Sequence, residues 1–202
     1  MGIVTADISV TLDGYGAAND QSIERPFGSI DEDRLHSWMF DHREDNEAEV
    51  AAIVDAGAFV MGRNMFGPGR GAWDLDWRGW WGEEPPYHAP VFVLTHHERA
   101  PLPMSGGTTF HFVTGGLAEA LDRARAAAGD RNVAVAGGAS TINACLAAGA
   151  LDELRLHVSP HVAGLTAGSR IFAGVGTLDL LPVAARHTPH VTHLTYRRRV
   201  GR

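Results

Sequence analysis

At 202 residues the chain suits one domain, and a chain of that size buries roughly 70% of its unfolded surface, so it folds without a disulfide or a metal. Composition is that of an ordinary globular protein, and a net charge of −7 argues against general nucleic-acid binding, which wants a basic face. The single cysteine, Cys145, excludes an intrachain disulfide framework and a cysteine-rich zinc site.

The opening MGIVTADISV has no basic segment leading into an apolar one, so it does not read as a signal peptide. No stretch approaches 18 apolar residues, the least a spanning helix needs, so no membrane partner is expected and a cytoplasmic location is the default.

Residues 3–10 read as a β-strand rich in β-branched side chains, ended by the turn Asp13-Gly14-Tyr15-Gly16. Residues 17–30 are polar and punctuated by Gly and Pro, hence a loop. Residues 31–41 predict a short helix with acids in its first turn and Leu35, Trp38 and Met39 to one side. Residues 45–56 predict a second helix, with Gly57 as its stop. A buried strand at 58–61 runs into Gly62-Arg63. Residues 66–90 form a long loop with four tryptophans; such loops are functional or disordered, and aromatic content speaks against disorder. Strands follow at 91–95 and 109–113, then an Ala-rich helix at 116–128 and a strand at 132–136 entering Gly137-Gly138. A helix at 139–148 stops at Gly149. It carries Cys145, which between Ala144 and Leu146 reads as a buried core thiol. A strand at 153–162 and a closing hairpin, 182–188 with 191–199, complete the chain. The basic residues 197–199 read as the solvated end of that last strand. Strands separated by helices imply right-handed crossovers and a largely parallel sheet, and the final run of strands implies an antiparallel edge.

Residues 133–148 read strand, Gly-Gly, helix. A helix start offers free backbone N–H groups and about half a positive charge, and glycines let a pyrophosphate come close to the backbone. Ser140 and Thr141 can add hydroxyl donors; a tight turn with close packing is the structural alternative. Gly62, Arg63 and Asn64 follow another strand, where an arginine can meet a phosphate in bidentate fashion. Thr95, His96 and His97 end a third. The two histidines are adjacent and so face opposite ways along a strand, which disfavours a shared metal. Ligands of open α/β sheets bind outside the carboxyl ends of the strands, where all three segments lie.

The stretch VAVAGGASTINACLAAGALDELRLHVSPHVAG, together with ISVTLDGYGA, GAFVMGRNMFG and PVFVLTHHERAP, resembles the reductase domain of bacterial riboflavin-biosynthesis enzymes and its stand-alone relatives. These belong to the dihydrofolate-reductase-like superfamily, and the resemblance spans about residues 3–198. It implies a three-layer α/β fold with a mixed, mostly parallel sheet, flanking helices and a C-terminal antiparallel hairpin. It also implies a homodimer and an NADPH-dependent reductase acting on a small heterocyclic substrate, pteridine- or pyrimidine-like. In that reading Gly137, Gly138, Ala139, Ser140 and Thr141 cradle the pyrophosphate and Gly62, Arg63 and Asn64 flank the adenosine. Thr95 and His96 meet the ribose 2′-phosphate, and residues 11–14 close over the nicotinamide. Two departures stand out. Folate-reducing members carry a carboxylate on the first helix, where this chain offers Leu35, His36 and Ser37; and the zinc-deaminase elements of the bifunctional riboflavin enzyme are absent from the sequence.

Hydride transfer needs orientation above all, and a proton donor helps. Asp13 is the candidate acid by position, with a simple Asp-Gly turn as the structural alternative. His161, after Pro160, and Trp73, one of several tryptophans able to stack on a flat ring, are the candidate substrate contacts; packing is the alternative for each. A non-catalytic NADPH-binding module of the same fold is the rival function.

Overall fold

The computed structural model describes residues 2–199; Met1, the start of the opening segment, lies outside them. The strands are β1 (Val4–Val10), β2 (Tyr15–Ala18), β3 (Ala58–Gly62), β4 (Pro90–Leu94), β5 (Leu102–Pro103), β6 (Thr109–Val113), β7 (Val133–Val135), β8 (Glu153–Val158), β9 (Gly168–Arg170), β10 (Leu180–Thr188) and β11 (Val191–Arg198). The α-helices are α1 (Glu32–Phe40), α2 (Glu47–Val54), α3 (Arg63–Phe66), α4 (Gly116–Ala128) and α5 (Ala139–Ala147), with 3₁₀ turns at Arg43–Asp45 and Ser105–Gly107.

Nine strands form one sheet in the order β10-β11-β8-β1-β7-β3-β4-β6-β5, and β2 pairs with β9 in a separate ribbon. From β8 to β6 every neighbouring pair is parallel, so these strands present their carboxyl ends along one edge. The hairpin β10–β11 and the short β5 supply the antiparallel edges, as the C-terminal run of strands implied.

Alternation along the strands sorts the two faces. Val4, Ala6 and Val10 of β1, Val133 and Val135 of β7, and Val60 of β3 pack on one face against Ala120, Leu121 and Ala124 of α4 and Ile142, Cys145 and Leu146 of α5. Burial pushes the Cys145 thiol up to about 11, which makes it the inert core residue its neighbours suggested. On the other face Phe59 and Met61, with Val91 and Val93, meet Phe66, Tyr87, Trp73 and Trp77, so the tryptophan-rich loop covers the sheet where a helix would otherwise lie.

Helix α1 is capped as its acids suggested, with the Asp31 carboxylate accepting from the Arg34 N–H. It buries Leu35 and Trp38, and polar groups surround the indole. Trp38 donates to Ser9 Oγ at 3.1 Å and lies 4.5 Å from the His157 ring and 5.1 Å from the His193 ring. Asn46 Nδ2 donates to the Trp38 and His42 carbonyls, so its oxygen accepts from His193 Nε2 at 2.9 Å. That makes His193 Nδ1 the acceptor in its 2.8 Å contact with His157 Nδ1. Burial, then repulsion from His157, holds His193 below its usual range and keeps it neutral.

Several boundaries differ from the sequence expectation. Helix α2 ends at Val54, and Gly57 is required not as a helix stop but for close approach: a Cβ there would lie 2.9 Å from the Ala128 backbone. β8 stops at Val158, before Pro160. The terminal arginines are not simply solvated: Arg197 pairs with the buried Glu153 at 3.0 Å, and Arg198 donates to the Gly149 carbonyl. β2, α3, β5 and β9 are short elements for which the sequence carried no expectation of their own.

Candidate functional site

The parallel strands deliver nearly all the candidate residues to one edge. β7 leads through Ala136 to Gly137, β3 into Arg63, β4 to Thr95, β1 to Thr11 and Asp13, and β8 to His161. The central feature is the start of α5. Gly62 N–H donates to the Gly137 carbonyl at 2.8 Å, locking the ends of β3 and β7 together. The Gly137-Gly138 peptide is cis, and Gly137 has φ +103°, a conformation suited to glycine. A Cβ on Gly138 would meet nothing within 4 Å, so its backbone faces open space. No side chain caps this helix, and Ser140 is exposed beside its first turn. Exposed donors, an uncapped start and an unobstructed glycine are what an anion needs. Ala139 and Thr141 are buried, so Ala139 contributes backbone only. Thr141 Oγ1 sits where a Gly62 Cβ would come within 2.5 Å of it, which makes Thr141 the residue that requires Gly62 rather than an open hydroxyl donor.

The flanking residues are more committed. Arg63 donates to the Gly71 and Ala72 carbonyls at 2.6 and 3.4 Å, and its guanidinium carbon lies 3.9 Å from the centroid of Trp73. Asn64 Nδ2 donates to Gln21 Oε1 at 3.0 Å, tying α3 to the segment before α1. The Thr95 hydroxyl accepts from His97 N–H and faces the His97 carbonyl, a local turn that leaves His96 exposed.

At the β1–β8 end, Asp13 is a staple. Its carboxylate accepts from Thr11 Oγ1 at 2.6 Å, Ala163 N–H at 3.0 Å and Gly164 N–H at 2.9 Å. Partial burial pushes its pKa up, but the Thr11 hydroxyl and the two N–H groups outweigh that and hold it at about 2. A carboxylate so satisfied is ionised near neutral pH, and its hydrogen bonds fix the loop. The loop is further held by Leu12 N–H to the His161 carbonyl at 2.8 Å. Both ring nitrogens of His161 are buried without a partner among the described residues, and burial lowers its pKa. His36 of α1 repeats the pattern: Nδ1 is buried and unpartnered, the ring lies 4.6 Å from Phe27, and burial pushes the pKa down to about 4. Trp73 does not join this end. It packs between Phe66 and Phe112 on the β4–β6 side, and its indole donates to the His97 carbonyl at 2.8 Å.

Sequence reasoning missed Arg170 and Arg99. Arg170 of β9 donates to the Asp13 carbonyl at 2.9 Å and lines a cavity of about 280 Å³ with Ser140 and Ser169. Arg99 holds the carbonyls of Asp74, Leu75 and Trp77. Nothing in a lone arginine marks either.

The family model of the RibD C-terminal domain matches residues 3–194. The chain belongs to that family. Solved structures agree with this RibD C-terminal domain in architecture. A protein from Shewanella sp. PV-4 described as a candidate riboflavin biosynthesis protein is 24% identical, with TM-score 0.67 over 98% of this chain and 99% of that one. A pyrimidine reductase-like protein from Corynebacterium diphtheriae gives TM-score 0.58 at 12% identity, over 99% and 93%. A dihydrofolate reductase from Enterococcus faecalis complexed with NADP(H) gives 0.55 at 14%, over 98% of both chains. At such identities the likeness shows the fold, which is dihydrofolate-reductase-like. No curated protein matches the chain.

Proposed function

We propose that this RibD C-terminal domain is an NADPH-dependent reductase acting on a small heterocyclic substrate, pteridine- or pyrimidine-like. The observation that carries the reading is the open, uncapped glycine start of α5, set among the carboxyl ends of the parallel strands and beside Arg63. When bound, NADPH supplies the hydride. The residues present fit it: the Gly137-Gly138 backbone and Ser140 for the pyrophosphate, Gly62, Arg63 and Asn64 for the adenosine side, and the exposed His96 beside Thr95 for the 2′-phosphate.

The protein's own contribution is orientation and exclusion of water. Asp13 pins residues 11–14 to residues 163 and 164, and in this reading the pinned loop covers the nicotinamide. His161, neutral at working pH, offers one donor and one acceptor to the substrate. The absence of a carboxylate on the inner face of α1 favours an uncharged ring over a protonated pteridine. The cytoplasm and a homodimer complete the reading.

Titration of NADPH and NADH, followed by the rate of NADPH oxidation with pyrimidine and pteridine acceptors, tests it. Tighter binding of NADPH than NADH is expected, and Gly138→Asp should weaken it at least tenfold by placing a carboxylate against the pyrophosphate. Failure of both nucleotides to bind would remove the reading. A second reading, a binding module without turnover, draws on the commitment of Asp13 to its loop; it predicts NADPH binding with no acceptor-dependent oxidation.

A further inference from the structure

We propose that residues 71–77 form a strap that fills the cationic end of the cofactor cleft and leaves when a phosphate enters. The inference rests on the reductase reading above. Two guanidinium groups hold this segment, and every hydrogen-bond acceptor they use there is a backbone carbonyl. Arg63 donates to Gly71 and Ala72, at 2.6 and 3.4 Å. Arg99 donates to Asp74, Leu75 and Trp77, at 3.4, 3.0 and 2.9 Å. Both cations lie against the same indole, 3.9 and 5.6 Å from the Trp73 centroid, and Trp73 Nε1 is fixed to the His97 carbonyl in the turn that also holds Thr95 and His96. The strap therefore spans the strand ends of β3 and β4, the two that the reading gives to the adenosine phosphate.

The chemistry favours exchange. Carbonyl oxygens carry partial charge, and a phosphate forms roughly twice as strong a bond with a guanidinium. Arg63 also keeps one donor in reserve: its Nε is buried with no partner among the described residues. A buried N–H on a cation is costly to leave unsatisfied until something accepts from it. Trp73 and Trp77 anchor the strap on the sheet, donating to the His97 and Phe66 carbonyls at 2.8 and 2.7 Å, and the residues around them are loosely held. Residues 71–77 form no regular secondary structure, Gly71, Ala72, Asp74, Leu75 and Asp76 are exposed, and a Cβ on Gly71 would meet nothing within 4 Å. These exposed residues can swing off the guanidinium groups while Trp77 stays on the sheet, and such local opening costs little.

The test turns on a sign. If Arg99 were simply a phosphate ligand, Arg99→Ala would weaken NADPH binding. As the strap's latch, its loss frees the site, and the apparent affinity rises in proportion to the population of the open state. Calorimetric titration of wild type, Arg99→Ala and Trp73→Ala with NADPH and 2′,5′-ADP should show both variants binding about tenfold more tightly. In the wild type, amide hydrogen exchange over residues 71–77 should accelerate on saturation with NADPH. Weaker or unchanged binding in Arg99→Ala, or slower exchange over the segment, overturns the strap while leaving the reductase reading in place. Absence of NADPH binding by all three proteins overturns both.

Discussion

Asp13 accepts three hydrogen bonds through its carboxylate, Oδ1 from Thr11 and Ala163 and Oδ2 from Gly164, so a proton on either oxygen sets a donor against a donor. Its folded pKa of about 2 is depressed, so the stability it contributes is present above the ordinary carboxylate value of 3.8 and is lost as pH falls through about 2. Asp13→Asn keeps the shape but turns a donor toward the N–H groups. We expect its melting temperature to fall by about 3 °C at pH 6, with the gap to wild type shrinking below about pH 4. A gap that is unchanged at low pH would show that the carboxylate charge is not what the loop uses. His36 gives a second pH effect, also present at high pH and lost at low, but in a higher window. The unfolded chain takes up this proton at about 6.5, whereas burial defers it to about 4 in the fold, so stability falls as pH drops between those values. His36→Phe, whose ring would lie among Phe27 and Phe40, should flatten that part of a melting-temperature profile recorded from pH 7 to pH 4.

The junction of β3 with α5 tests whether the glycines are there for the backbone or for space. Gly62 has φ −74°, which any residue adopts, so alanine is not strained by conformation. The obstacle is Thr141 Oγ1, 2.5 Å from a Cβ, with Thr141 Cβ at a comfortable 3.8 Å. Gly62→Ala alone should destabilise by about 1–3 kcal/mol, and Thr141→Ala in the same chain should recover most of the loss; additive effects in denaturant unfolding of the four proteins would refute the contact. This junction was half legible in the sequence. Strand, glycines and helix followed from local pattern, because β-branched runs and glycine stops act over a few residues. The side of α5 that Thr141 would take was not, since helical phase is set by what the helix packs on. The same limit explains β2 and β9. Their three or four residues are Gly, Ala and Ser among one Tyr and one Arg, and each is a strand only because the other, about 150 positions away, pairs with it. The loop at 66–90 was legible as ordered, from its tryptophans, but not what it covers: carbonyls hold Arg63 and Arg99, and a carbonyl leaves no mark in the residue name.

Across the whole molecule the sheet has one good edge and one poor one. β5 is a two-residue strand, too short to recruit another chain. β10 at the far side is nine residues long and exposed from Leu181 to His187, with Leu181 39% and Val183 48% accessible. Half of it is blunted against continuation by another strand: Pro182 has no N–H to offer, and the pairing with β11 shifts register between Pro182 and Ala184. An edge interrupted in this way but still apolar is better suited to burying a face than to extending the sheet. The homodimer expected from the family is therefore proposed to bury the Leu181 and Val183 side chains against a second copy. Sedimentation velocity at micromolar concentration should show a dimer for wild type and a monomer for Val183→Lys, whose ammonium would be desolvated at the contact. Because β10 lies beyond β11 and β8, remote in the sheet from Gly62 and Gly137, the monomeric variant should keep its NADPH affinity. A Val183→Lys protein that stays dimeric would place the interface elsewhere, and one that loses NADPH binding together with dimerisation would mean that the site is completed across the pair.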